Sequence, residues 1–164
     1  EKIMSSKPRR ISAINLTLNI KGNGFKLFGT KISYKMKLEG HSDADVGIHA
    51  IIDALLGAAS MGDIGKLFPD TEKKYKDIES TKLLRSVKKL LDQNNMQIIH
   101  IDNTIICEEP RISKHTKTMI KNIAKVLKLK ESDVSIKATT TEQMGFLGRK
   151  EGIGSFCLAT IIKL

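Results

Sequence analysis

Apolar positions along this chain recur with two spacings. Ile51, Ala54, Leu55 and Ala58 return every three to four residues between Val46 and Ala59. Leu83, Leu84, Val87, Leu90 and Leu91 do so between Ser80 and Gln93, and Met119, Ile120, Ile123, Val126 and Leu127 between Ser113 and Leu127. Each set makes a stripe along one side of a helix, so three helices are predicted. Elsewhere the apolar residues alternate or run together: MQIIHIDNTIICEE, SIKATTT and GSFCLATIIKL each predict strand, and FKLFGTKISYKMKLEG predicts two short strands paired around Gly29. ISAINLTLNI alternates enough for a strand but also fits a linker. Residues 1–21 are expected to be an N-terminal extension or linker, and 22–164 the folded domain. GDIGKLFPDTEKKYKD, dense in Gly, Pro and Asp, is too long for a mere connector and is expected to bind something. The order β, α, α, β, α, β, β, with no internal repeat, predicts an α/β (α+β) fold, a single domain with helices packed on one face of a mixed β-sheet.

Length and composition agree with one domain: 164 residues with 40% hydrophobic content can build one core and not two. No window approaches the roughly 20 apolar residues of a membrane span, and EKIMSSKPRR lacks the apolar stretch of a signal peptide. A soluble protein of the cytoplasm or of an organelle is expected, with no membrane partner. Cys107 and Cys157 sit far apart in strand-like runs and form no CxxC pair, which predicts two buried, reduced thiols. The net charge of +10 comes mostly from lysines on the polar sides of the predicted helices. With no Trp and 4% aromatics, no nucleic-acid partner is expected; the positive field suits small phosphorylated substrates better.

The stretch from Gly40 to Gly65, GHSDADVGIHAIIDALLGAASMGDIG, changes the picture. Ser42 and Asp45 form an S-x-x-D capping box, which places Ser42 at the helix N-cap and Asp45 at N3. Asp45, His49 and Asp53 are spaced i, i+4, i+8 and line up on one ridge. A lone helical histidine is more often a satisfied core or surface residue. His41 and the neighbouring carboxylates turn His49 toward a metal ligand whose second nitrogen would be fixed by a hydrogen bond. Thr139, Thr140 and Thr141 would be ordinary β-formers at a strand end, but Glu142 follows directly, and a carboxylate beside hydroxyls suits a hydrated Mg²⁺.

HSDADVGIHAIIDALLGAASMGDIGKLFPDT together with KATTTEQMGFLGRKEG resembles the 2-C-methyl-D-erythritol 2,4-cyclodiphosphate synthase family of the non-mevalonate isoprenoid pathway, from about Gly29 to Leu164. The resemblance implies a homotrimer with sites between subunits, either bacterial and cytoplasmic or in a plastid-type organelle. It implies a lyase acting on 4-diphosphocytidyl-2-C-methyl-D-erythritol 2-phosphate, whose own 2-phosphate attacks the β-phosphorus to give the cyclic diphosphate and CMP. Catalysis would then rest on positioning and charge neutralisation. His49 would be a Zn²⁺ ligand with Asp53 orienting it, and His41 and Ser42 would contact phosphate. Asp63, Ile64 and Gly65, with Phe68, Pro69, Asp70, Thr71 and Glu72, would hold the methylerythritol end. Cys107, Glu108, Glu109, Pro110, Arg111, Ile112 and Ser113, with Thr139, Thr140 and Thr141, would form the cytidine pocket. Thr140 would stabilise the transition state and Glu142 would bind Mg²⁺ or Mn²⁺. Phe146 and Arg149 would complete the nucleotide-phosphate contacts. His100 and His115 match nothing.

The resemblance breaks at the zinc. Family members carry Asp-x-His shortly after a Gly-x-Gly-aromatic turn, whereas here GNGF, Gly22 to Phe25, runs directly into Lys26. One histidine cannot make a three-ligand zinc site. Two explanations stand: a chain without its zinc, or a short segment left out between Phe25 and Lys26, the latter favoured because every other motif is intact. The stretch before it would then be a linker from an upstream cytidylyltransferase domain in a bifunctional enzyme, or an extension.

Overall fold

The computed structural model describes residues 7–164; Glu1 to Ser6 of the expected extension lie outside the described residues. Among the described residues seven strands and five α-helices follow in chain order: β1 Arg9–Lys21, β2 Phe25–Leu27, β3 Thr30–Ile32, β4 Met36–Leu38, α1 Val46–Ala59, α2 Ile64–Leu67, α3 Ser80–Gln93, β5 Met96–Ile106, α4 Thr116–Leu127, β6 Val134–Thr139, α5 Gly145–Gly148 and β7 Gly152–Lys163. The main sheet runs β4-β1-β7-β5-β6 and is mixed, antiparallel except where β5 and β6 lie parallel across the α4 crossover. β2 and β3 make a separate hairpin around Phe28 and Gly29, as their sequence suggests. The three long helices match their predicted spans and pack on one face, α1 over β1 and β7, α3 and α4 over β5 and β6.

Burial follows the pleat. Ile153, Cys157, Ala159 and Ile161 of β7 and Ile101 and Ile105 of β5 are buried under the helices. The register slips between Ile98 and His100, so Ile98 and Ile101 both point inward although three residues apart. The opposite face is bare and apolar: Ile14, Leu16 and Leu18 of β1, Phe156 and Leu158 of β7 and Ile99 of β5 are exposed, with Ile14 opposite Phe156 in the ladder.

Two expectations are corrected here. Residues 9–21 are no linker. They form the longest strand, paired with β7 from Arg9 to Leu18 and with β4 from Asn19 to Lys21, so the boundary expected at residue 22 cuts through the sheet. Ser42 does not cap α1; Asp45 is the N-cap, and its side chain accepts from Ile48 N–H at 3.1 Å. The reason is tertiary. The same fully buried carboxylate accepts from Phe28 N–H at 2.9 Å and Gly29 N–H at 2.7 Å, tying the helix entrance to the hairpin turn. Phe28 then lies on the helix where Gly47 leaves room, since a Cβ there would sit 2.6 Å from its ring.

Candidate functional site

α1 delivers His49 to a polar corner beneath the His41–Asp43 bend. Its Nε2 lies 3.0 Å from Ser42 Oγ and 3.0 Å from Ser80 Oγ, and the Ser80 hydroxyl donates to the Asp43 carboxylate. The Ser80 N–H also donates to Asp43, at 3.1 Å, and Ala44 N–H donates to Ser42 Oγ at 3.3 Å. Burial pushes the His49 pKa below its ordinary value, with Asp43 pulling the other way. The ridge expected from the i, i+4, i+8 spacing is present on the helix but is split in use. Asp45 serves the hairpin, and Asp53 does not orient His49. Its carboxylate, one turn on, accepts from Ile64 N–H at 2.8 Å and from the Asn15 amide. Burial raises the Asp53 pKa, and those donors pull it back.

A cleft of about 280 Å³ opens at this corner, lined by His41, Ser42, His49, Ile64, Gly65, Phe68, Asp70, Tyr75 and Leu83. The long GDIGKLFPDTEKKYKD loop forms one wall, held by Asp63, whose carboxylate accepts from Lys66 N–H at 2.8 Å and starts α2, and by the edge-to-face pair Phe68–Tyr75 at 5.4 Å. Pro69 and Thr71 lie outside the lining, and Glu72 pairs with Lys74 at 2.6 Å.

A second cleft of about 460 Å³ lies at the ends of β5 and β6, lined by Cys107, Glu108, Pro110, Arg111, Ile112, Ser113, Ala138, Thr139 and Thr140. Glu109 turns away to Lys150 at 2.7 Å and Tyr34 at 3.3 Å. The Thr139–Gln143 segment is anchored by Glu108, which accepts from Thr141 N–H at 2.7 Å and from Gln143 N–H at 3.4 Å, with Thr141 Oγ1 at 3.0 Å. These donors, the Thr141 N–H first, hold the Glu108 carboxyl below the usual carboxylate range. The anchoring fixes a turn in which Glu142 and Gln143 take φ of 53° and 64°, conformations that non-glycine residues adopt rarely. Glu142 then stands exposed, its Oε1 3.2 Å from the Thr140 hydroxyl.

Phe146 and Arg149 are not brought to the second cleft within one chain. Phe146 lines a third, of about 390 Å³, with Leu16, Thr17, Leu18, Glu39 and Gly152, and the Arg149 guanidinium is engaged by Glu151 at 2.7 Å. Both thiols are buried, and burial pushes each up to about 12, which removes them as nucleophiles. Sequence reasoning missed Ser80 and the anchoring role of Glu108. Ser80 opens a helix and looks like a cap, yet it makes no cap bond and is fully buried.

The model of the YgbB family matches residues 14–162. The chain belongs to the YgbB family. A relative from Clostridium novyi (strain NT), 2-C-methyl-D-erythritol 2,4-cyclodiphosphate synthase, is 55% identical over 135 residues, 82% of this chain and 86% of its own. Among solved structures, the bifunctional IspDF from Campylobacter jejuni superposes with a TM-score of 0.93 at 34% identity, covering 98% of this chain and 43% of that one. IspF of Plasmodium falciparum, solved as a CDP complex, gives 0.84 at 32% identity, covering 96% of this chain and 97% of its own.

Membership in this family brings the implied metals to a test against the residues present. Glu142 fits Mg²⁺ or Mn²⁺, ions that take one or two carboxylates and complete their shell with water and substrate phosphate. The His49 corner does not fit zinc: among the described residues no group of three His, Cys, Asp or Glu could hold a metal. Phe25 and Lys26 pair in register with Ile32 and Lys31 in the hairpin.

Proposed function

We propose that this chain converts 4-diphosphocytidyl-2-C-methyl-D-erythritol 2-phosphate to 2-C-methyl-D-erythritol 2,4-cyclodiphosphate and CMP, as part of isoprenoid precursor synthesis. The observation that carries this is 55% identity, over 82% of the chain, to a relative named for that product. The 2-phosphate oxygen attacks the β-phosphorus, the bond to the CMP oxygen breaks, and the leaving charge stays on CMP. The chain's own groups bind and orient. Ser42 and His41 meet phosphate in the first cleft, with Ile64, Gly65, Phe68 and Asp70 on the methylerythritol side. The Cys107–Ser113 loop and Thr139 hold cytidine in the second cleft, and the Thr140 hydroxyl lies beside the diphosphate. Mg²⁺ or Mn²⁺ at Glu142, when bound, supplies neutralising charge to the diphosphate.

A homotrimer is part of this reading. No residue lines both clefts, so one substrate can span them if a neighbouring subunit supplies the second, and the bare apolar sheet face supports such assembly. A cytoplasmic setting accords with the bacterial sources of the relatives, and no helix among the described residues is long and apolar enough to cross a membrane. The test is phosphorus NMR of the purified chain with the diphosphocytidyl substrate and Mg²⁺. Release of CMP with a cyclic diphosphate is expected; intact substrate after long incubation would overturn the assignment. The incomplete zinc set favours a second reading, a relative that binds cytidine nucleotide without turnover, and CDP binding without CMP release would select it.

A further inference from the structure

We infer that His49 belongs to a hydrogen-bonded chain, Asp43–Ser80–His49–Ser42, that occupies the place of a zinc centre, and that this network aims the Ser42 hydroxyl at a phosphate ester in the first cleft. The inference deepens the proposed reading, on which the phosphate contact of Ser42 and the KM arm of the test rest; the zinc arm stands without it.

The proton accounting decides it. The single hydrogen of the Ser80 hydroxyl goes to the Asp43 carboxylate, so toward His49 Ser80 can only accept. Nε2 at 3.0 Å then carries the proton and donates it, so in this tautomer the ring's lone pair is on Nδ1 and none is left on Nε2 for a metal. The one Nε2–H is shared between Ser80 Oγ and Ser42 Oγ, each at 3.0 Å; Ser42 Oγ also accepts from Ala44 N–H, and its own hydrogen turns either to Ser80 Oγ at 3.5 Å or to an acceptor in the cleft. Ser42 lines the cleft with His41, Gly65 and Asp70. A hydroxyl polarised in this way donates to anionic oxygen, and a phosphate ester is the chemistry it suits.

The opposing strand offers no substitute ligands. β1 turns Ile11 toward Gly57 and Asn15 toward Asp53, so Thr17 and Asn19, at the same parity, share the face that meets α1. Thr17 Oγ1 donates to Glu39 O at 2.6 Å and the Asn19 amide to Lys150 O at 2.8 Å. Neither a hydroxyl nor an amide is a ligand that a structural or catalytic zinc takes.

The experiment loads the full chain with excess zinc sulfate, removes unbound metal by gel filtration and measures zinc by plasma emission, beside nitrogen-detected NMR of the imidazoles. Zinc far below one per chain, equal in wild type and His49→Ala, and a His49 ring in the Nε2–H form that zinc does not shift, are the expected results. Near one zinc per chain, lost in His49→Ala, overturns the inference. If His49→Ala fails to fold, Ser80→Ala decides: it should raise KM for the substrate several-fold, leave CDP affinity unchanged and retain no zinc, whereas zinc uptake on removing Ser80, or an unchanged KM, overturns it. Failure of the proposed reaction is separate, appearing as no CMP release from the wild-type chain whatever its zinc content.

Discussion

Replacing Asp45 with alanine should destabilise the fold, most at acid pH, although the residue touches no cleft. Three N–H groups lose their acceptor, those of Ile48, Phe28 and Gly29. Loss of the cap costs about 1 kcal/mol, and leaving the two hairpin N–H groups unpaired costs about 1–3 kcal/mol each. Against this stands the penalty of the buried charge itself: burial pushes the Asp45 carboxyl up to about 6 despite those donors, so the ionised form is held at a cost of roughly 3 kcal/mol near neutrality. The net loss at pH 7.5 is then about 0–4 kcal/mol, a fall in Tm of at most roughly 15 °C for a chain of this size. The pH dependence has a definite sign. A carboxyl whose folded pKa is raised gives stability that is present below its unfolded value and lost as pH rises through about 6. The substitution should therefore cost about 1–2 kcal/mol more at pH 5 than at pH 7.5. Thermal unfolding of both proteins at one fixed concentration, at the two pH values, measures it. A Tm at pH 5 within about 2 °C of wild type, or a smaller penalty at pH 5 than at pH 7.5, would refute the account of Asp45 as the joint between hairpin and helix.

Other outcomes follow from the site. Glu142→Gln should lower turnover by about 10²–10³-fold, as loss of one preorganised charge does, with Tm nearly unchanged because Glu142 is exposed; near-normal turnover at saturating Mg²⁺ would remove it from the metal. Glu108→Ala should weaken CDP binding about tenfold, the scale of one charge-assisted hydrogen bond, and calorimetric titration reads it. Since the Glu108 carboxyl is held below its ordinary value, wild-type CDP affinity should persist above about pH 4.5 and fall only as pH drops through the lowered value. The two thiols should resist Ellman's reagent at pH 8 in the folded chain and react together in urea, because burial pushes both up to about 12; fast labelling of either one in the native state would contradict its burial.

The helices were legible because long amphipathic stripes are a strong local signal, and all three long spans agree with it. β1 was obscured by an inverted pattern. Its helix-facing positions include Asn15, Thr17 and Asn19, whereas Ile14, Leu16 and Leu18 point to the bare face. Such a strand makes sense only with its neighbours, which a local window does not contain. The capping box failed for a similar reason: Asp45 is claimed by N–H groups 16 and 17 residues away, and Ser42 by a histidine one helix deep. Of the site, His41 and His49 could be drawn together by their nearness along the chain, and Ser42 joins them only through the family resemblance. Ser80 and the anchoring by Glu108 could not, since their partners lie 31 and 33 residues off.

The slip between Ile98 and His100 bears on which length changes β5 can absorb. Ile99 is the surplus residue of the strand, and removing it leaves Ile98 inward, His100 outward and Ile101 inward, an ordinary alternation that preserves every core position. Removing Asn103 instead would reverse the facing of all that follows, sending Ile105 to the bare side and pulling Thr104 under the helices. Length variation among sequences of this fold should therefore gather at one point in the strand, and a gap placed elsewhere in β5 would mark a misaligned sequence.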